Sequence, residues 1–132
     1  MKDILDKLRD DEQYYGSFGK QYLSNSDIGV LLSNPREFRQ PQDDNVNYHK
    51  GRYFHQLILE PEKAKETKFV DVSSRNTKAY KETALNGIVM LDKEGQEIRE
   101  CVQAMMQNYS FFEGIRAEGV EYEVPAIIEL FG

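Results

Sequence analysis

The spacing of hydrophobic and polar residues along the chain predicts mostly helix. Four segments show helical spacing of apolar residues: residues 1 to about 13, the segment that begins after Ser24 or Asn25, residues 46 to 59, and the segment from Asp92 onward. In the second segment, Ile28, Leu31 and Leu32 form the face that we expect to be buried. Pro35 ends or restarts that helix, because proline has no backbone N–H to donate.

The third helical segment has clear boundaries in the sequence. Asp44 or Asn45 is placed to cap its start, since short polar side chains accept hydrogen bonds from the first free N–H groups of a helix. Glu60 and Pro61 end it, because the residue before a proline is pushed out of the helical region. We therefore predict a helix over about 46 to 59.

Three short apolar segments suggest a small sheet. Residues 68 to 72, "KFVDV", predict a strand, and "IVML" at 88 to 91 is either a second strand or an apolar lead into the next helix. Between them, "SSRNTKAYKETALNG" predicts a capped helix that stops at Gly87. Near the end, Val120, Tyr122 and Val124 alternate with Glu121 and Glu123, and this two-residue period predicts a strand. The expected fold class is α+β, rich in helix, with a small incomplete sheet.

Length and composition fit one domain over residues 1–132, in which residues 1–19 form an N-terminal helix and joint. The net charge of −6 argues against a generic phosphate-binding surface. No apolar run approaches the ~20 residues that span a bilayer, and the first residues carry too many charges for a signal peptide, so we expect a cytoplasmic protein without membrane contact. Cys101, the one cysteine, excludes an internal disulfide and is expected to be a buried apolar residue of the last long helix, whose stripe contains Ile98, Val102, Met105, Met106 and Tyr109.

The helix over 46 to 59 carries the main candidate for chemistry, His55. Helical side chains lean toward the N-terminus, so His55 projects over the turn that contains Gly51. The glycine leaves space beside the imidazole for a metal ion, a phosphate or a closely packed backbone. The structural interpretation is that Gly51 permits tight helix packing and that His55 is a hydrogen-bonded core residue.

Several motifs together resemble a known family of nucleases. They are "LSNSDIGVLLSNPREF", "GRYFHQLILEPEK", "SSRNTKAYKE", a long helix and "VEYEVPA", and the most specific of them is Gly51-x-x-x-His55 followed by Leu-Glu-Pro-Glu. In this order, over residues 20 to 132, they resemble the RecE-like (exonuclease VIII type) branch of the PDDEXK superfamily. Members of that branch are phage and prophage exonucleases that act on DNA ends. The resemblance implies the helix-rich N-terminal portion of a PDDEXK nuclease-like fold.

The resemblance also implies a set of site residues. His55 would lie at a Mg²⁺ site, with Glu123 as the acidic residue before Val-Pro and Glu121 as the second choice. The alternative is that both glutamates simply face solvent. Candidates for DNA-phosphate contact are Ser24, Ser26, Arg36, Arg39, Lys50 and Arg52.

The family pattern continues after Val-Pro with a strand that bears an Asp and then a Glu-x-Lys strand, neither of which appears before Gly132. We therefore predict that this chain alone is inactive, and that it is part of a Mg²⁺-dependent DNA exonuclease in a phage-infected or lysogenic bacterial cell. The alternative is a catalytically inactive, nuclease-derived module that binds or inhibits a protein partner, since an acidic chain suits a basic protein surface. The expected partners are DNA ends in the first case and a protein in the second, with a homo-oligomer possible in either.

Overall fold

A computed structural model describes residues 1–130, which form two compact units. The first unit contains Met1–Gln42 together with the segment from Glu121 onward, and the second contains Asp43–Val120. The expectation of one domain stays a prediction.

The first unit is built from short helices. These are α1 (Lys2–Leu8), α2 (Asp11–Tyr15), a 3₁₀ turn (Gly19–Gln21), α3 (Asn25–Ser33) and a second 3₁₀ turn (Pro35–Glu37). The predicted helix over residues 1 to 13 is divided in two, because Asp10 adopts an extended conformation and its side chain caps α2 by accepting from the Glu12 N–H. Leu8 is the buried residue of α1.

Helix α3 begins where the sequence predicts, but one of the three residues predicted to be buried is exposed. The Ser24 hydroxyl accepts from the Asp27 N–H, and the Asp27 carboxylate accepts from the Ser24 N–H, which is a complete capping box. Ile28 and Leu31 are half-buried, but Leu32 is 84% exposed, so its predicted burial is wrong. The spacing of Leu32 puts it on the outer edge of the apolar stripe, where the described part of the chain supplies no covering element.

The second unit contains the sheet and the longer helices. Its elements are α4 (Val46–Leu59), α5 (Pro61–Ala64), β1 (Phe69–Val70), α6 (Lys78–Ala84), β2 (Met90–Leu91), α7 (Asp92–Met106) and α8 (Tyr109–Arg116). The strands are parallel, with Phe69 beside Met90 and Val70 beside Leu91. Because parallel strands need a crossover connection, α6 lies between them in the sequence. The strand predicted over 68 to 72 is present as Phe69–Val70, and the strand alternative for 88 to 91 is realised at Met90–Leu91. The helix predicted between them is confirmed, although it ends at Ala84, before Gly87.

The core of this unit lies where α4 meets the sheet. Tyr53, Ala64 and Met90 are buried together, and the Phe69 ring packs edge-on against the Tyr53 ring with centroids 5.1 Å apart. The Tyr53 hydroxyl accepts a hydrogen bond from Arg99 of α7 at 3.1 Å, so the buried phenol oxygen has a partner. These contacts fix the face of α4 that turns inward.

The long C-terminal helix of the sequence prediction is two helices. Asn108 caps α8 by accepting from the Phe111 N–H, and Tyr109 is 73% exposed instead of continuing the buried stripe. Val102 is buried as expected. Cys101 is exposed, so its predicted burial is wrong, because it lies next to the apolar stripe of α7 and not on it.

The strand predicted over residues 120 to 124 is absent: residues 117 to 130 form neither helix nor strand. Glu123 has φ +48°, a left-handed conformation that breaks an extended strand. An alternating pattern sets only the side-chain period, and a strand also needs a neighbour for its backbone hydrogen bonds. Glu121 and Glu123 therefore do not share a strand face.

The described chain is thus helix-rich with a small two-stranded parallel sheet, which agrees with the α+β expectation. No helix within residues 1–130 has the length and apolar character needed to cross a membrane.

Candidate anion-binding cleft and histidine helix

One face of α4 forms the wall of an open cleft in the second unit. His49, Arg52, Tyr53 and Gln56 line it, and their spacing of three and four residues puts them on one side of the helix. The cap at Asn45, which accepts from the Asn47 and Tyr48 N–H groups, fixes where this helix begins and hence which residues share the face.

The other walls come from two loops. Lys63, Glu66, Thr67 and Lys68 lie on α5 and in the turn that leads into β1, and residues 88 to 90 lead into and begin β2. The Tyr80 hydroxyl holds this second segment in place, because it accepts from the Val89 N–H at 3.1 Å and donates to the Val89 carbonyl at 3.2 Å. The volume of this open cleft is about 390 Å³, within the usual range for a small-molecule site.

The cleft is basic although the protein is acidic. Arg52, Lys63 and Lys68 line it together with His49, and Glu66 is the one acidic residue in the lining. Within residues 1–130, Lys63 pairs with Glu60 at 2.6 Å, whereas Arg52 and Lys68 form no ion pair. Two cations without a carboxylate partner therefore face one opening.

His49 takes part in a local interaction at the cleft. Its Nε2 lies 2.8 Å from Oδ2 of Asp44, in the loop before α4. This contact with the carboxylate constrains the orientation of the imidazole, which lines the cleft.

A second charged cluster, centred on Glu94, lies close to the sheet. The Glu94 carboxylate is 14% exposed and accepts from Arg75 Nη1 at 3.1 Å, from Lys50 Nζ at 2.9 Å and from the Leu91 N–H at 3.0 Å. Burial raises the pKa of Glu94, but the hydrogen bonds from Arg75, Leu91 and Lys50 outweigh that effect and bring its pKa down to about 2. The same pairing raises the pKa of Arg75. Glu94 therefore ties α4, the segment before α6 and the start of α7 together.

His55 lies on a different face of α4 from the cleft. Its side chain is exposed, with the ring centroid 6.1 Å from that of Phe54. Gly51, one turn earlier, is also exposed, and a Cβ built on it would meet no atom within 4 Å. Close helix packing at Gly51 and burial of His55, which the structural interpretation requires, are both absent from the described chain.

The predicted acidic partners of His55 belong to the first unit. Glu121 accepts from Arg9 Nη2 at 3.4 Å, and Glu123 adopts the left-handed conformation described above. Among residues 1–130, no three His, Cys, Asp or Glu side chains converge as a metal-binding group. A Mg²⁺ site formed by His55 with Glu123 or Glu121 stays a prediction.

The predicted phosphate contacts fall into three kinds. Ser24 and Ser26 share a hydrogen bond at 2.9 Å at the start of α3. In the same turn, the hydrogen bond from the Ser24 N–H lowers the pKa of Asp27, and this effect outweighs the opposite effect of burial. Arg39 donates to the Tyr22 carbonyl at 3.1 Å, and Arg36 is exposed. In the second unit, Lys50 is engaged with Glu94, and Arg52 is the one of the six that lines the cleft.

Lys63 and Lys68 were missed by sequence reasoning. They occur in "EPEKAKETK", where three acidic and three basic residues are mixed and no excess of one sign is visible. The break between α4 and α5 and the turn after α5 bring these lysines into the same lining as Arg52. A basic residue at the start of a predicted strand, as at Lys68, was the available signal.

No protein-family model, curated protein or solved structure matches this chain. The likeness to RecE-like nucleases therefore remains an interpretation of the sequence.

Proposed function

We propose that this chain is part of a phage-type, Mg²⁺-dependent DNA exonuclease of the RecE-like kind, in which α4 presents His55 to the metal site. The observation that carries the proposal is the exposure of His55 one turn after the bare backbone at Gly51. A histidine whose only role was packing in the core would be buried, whereas the His55 side chain is exposed.

The chemistry of the proposed reaction explains why the chain alone is expected to be inactive. Metal-assisted hydrolysis of a phosphodiester needs carboxylates to hold the ion and a group that stabilises the developing charge. In the proposal, His55 and Glu123, with Glu121 as second choice, contribute to this site. The Asp-bearing strand and the Glu-x-Lys strand of the family pattern do not follow Val124 in this sequence. Glu66-Thr67-Lys68 has the second spacing, but it precedes β1 and supplies a single carboxylate.

Binding to DNA ends tests the proposal directly. We expect the chain to bind linear duplex DNA more tightly than closed circular duplex of the same length in the presence of Mg²⁺, without degrading either. His55→Ala should weaken the Mg²⁺-dependent part of this binding about tenfold, the loss expected for one charge-assisted contact. Gln103→Ala, on the exposed side of α7, is the matched control and should have no effect. Fluorescence anisotropy with and without EDTA measures the affinity of the wild type and of each variant for linear and for closed circular DNA.

Two results would contradict the proposal. The first is equal affinity for linear and closed circular DNA in Mg²⁺. The second is robust digestion of linear DNA by this chain that His55→Ala abolishes, which would mean that the catalytic groups are other residues than those proposed.

A protein-binding module is the second candidate function, and one observation favours it. In the segment after α8, Val120, Val124, Ile128 and Leu130 are all exposed apolar residues. Such a module would show no preference for DNA ends, so the same anisotropy measurement separates the two functions. Within the described residues this segment is irregular, so its exposed apolar side chains, and not a strand edge, would form the contact with a protein partner.

A further inference from the structure

We infer that the cleft between α4 and the two loops is a binding site for a phosphate monoester of mononucleotide size. This inference does not depend on the proposed nuclease function, because the cleft lies on the face of α4 that does not carry His55. It also uses residues, Lys63 and Lys68, that the nuclease proposal does not invoke.

The first step of the argument is charge. The chain has 23 acidic and 17 basic residues, yet three of the four charged residues in the cleft lining are cations. An accidental surface hollow on an acidic protein would be expected to show the opposite balance. Converging cations of this kind concentrate anions at the opening.

The second step is which cations remain for a ligand. Lys63 already pairs with Glu60, and His49 with Asp44, whereas Arg52 and Lys68 have no carboxylate partner within residues 1–130. Arg52 and Gln56, four residues apart on α4, have Cβ atoms about 5–6 Å apart, a spacing that lets both reach one phosphate. A guanidinium binds two phosphate oxygens at once, and a lysine on the facing wall supplies the second charge.

The third step concerns the rest of the ligand. Beside the cations, the wall formed by Ile88, Val89 and Met90 is apolar and half-buried or buried. The Tyr80 hydroxyl fixes this wall through two hydrogen bonds to Val89, so it is already formed before a ligand binds. A cationic end beside a rigid apolar wall, in a volume of about 390 Å³, suits a phosphate attached to a flat organic group such as a nucleoside.

Direct binding measurements with small phosphates test the inference. Isothermal titration of the full chain with deoxyadenosine monophosphate, deoxyadenosine and inorganic phosphate should rank the monophosphate first, with the unphosphorylated nucleoside not binding. Arg52→Gln and Lys68→Gln should each weaken monophosphate binding about tenfold, because each removes one charge-assisted hydrogen bond. Lys78→Gln is the matched control, since that side chain is 90% exposed on α6 outside the cleft, and should leave the affinity unchanged.

Two sources of the phosphate are separated by a further comparison. A 5′-phosphorylated and an unphosphorylated single-stranded oligonucleotide present the same chemistry at the end of a strand. If the free monophosphate competes with the phosphorylated oligonucleotide, the cleft takes either source. If only the 5′-phosphorylated oligonucleotide binds, and Lys68→Gln weakens that binding, the cleft is specific for the phosphate at a strand terminus.

Three outcomes would overturn the inference. They are equal binding of the nucleoside and its monophosphate, an equal loss of affinity in Lys78→Gln and Lys68→Gln, and no binding of any phosphate compound at low ionic strength. Arg52 and Lys68 are exposed, so we expect their glutamine variants to fold. The thermal unfolding midpoint of each variant, compared with that of the wild type before titration, checks this. If monophosphate binding to the cleft is not found, the proposal of DNA-end binding through His55 still stands. If the His55→Ala test fails, the inference about the cleft still stands.

Discussion

Gly95 is the residue at which the close packing of the second unit is most demanding. It is buried in the first turn and a half of α7, where a Cβ would lie 2.8 Å from Cδ1 of the Phe69 ring. That ring cannot move aside easily, because it packs against the Tyr53 ring and lies under the Arg99 guanidinium, 5.6 Å from its centroid. Any side chain at position 95 must therefore push α7 away from β1.

We expect Gly95→Ala to destabilise the protein by about 1–3 kcal/mol, the usual cost of overpacking a filled core, although alanine is the better helix former. Gly114→Ala in α8 is the matched control, since a Cβ there meets no atom within 4 Å. Urea unfolding followed by circular dichroism measures both. Equal midpoints for Gly95→Ala and the wild type would mean that β1 and α7 are not packed as described.

At the scale of elements, α4 shows what local sequence determines. Its bounds, Val46–Leu59, and its cap at Asn45 agree with the sequence prediction, because a capping side chain and a following proline act within a few residues. The strand predicted at 120 to 124 was wrong, because its formation depends on a neighbouring strand that no local pattern supplies. The cleft could not be predicted for the same reason: Lys68 faces Arg52 only after the turn following α5 has formed.

Gly51 is a position of α4 at which the residue present does not maximise helix stability. It is exposed in the middle of the helix with open space around it, so no packing requires a glycine there. We expect Gly51→Ala to stabilise the protein by up to about 1 kcal/mol, from helix propensity alone. The proposed nuclease function adds a second expectation, that the new methyl group weakens Mg²⁺-dependent binding of DNA ends.

The two effects of Gly51→Ala are measured separately, by urea unfolding and by DNA-end anisotropy. Gly114→Ala serves again as the control, because it should gain stability similarly without changing DNA binding. Loss of stability in Gly51→Ala would show that the turn is constrained. Gain of stability with unchanged end binding would separate the glycine from the proposed metal site.

At the scale of the whole molecule, the network around Glu94 predicts how the protein responds to acid. Its pKa of about 2 lies below the ordinary 4.5, so the carboxylate is stabilised in the folded state and the contribution is present above pH 4.5. Stability is lost as the pH falls from about 4.5 to about 2, because the unfolded chain then binds the proton more readily. After allowance for solvent screening, the loss is on the order of 2 kcal/mol.

Glu94→Gln should therefore remove the acid-dependent part of the stability while lowering stability at neutral pH, since Arg75 and Lys50 lose their shared carboxylate. Glu97→Gln is the matched control on the same helix, because Glu97 is exposed and lies 3.9 Å from Lys93. The quantity to measure is the difference in free energy of unfolding between each variant and the wild type, from urea titrations between pH 2 and 7. Taking this difference cancels the contribution of Asp27, whose pKa is also lowered but which belongs to the first unit.

For Glu94→Gln the difference in free energy of unfolding should shrink as the pH falls below 4.5, and for Glu97→Gln it should not change with pH. A pH-independent difference at position 94 would mean that α4, α7 and the segment before α6 are held together by packing alone.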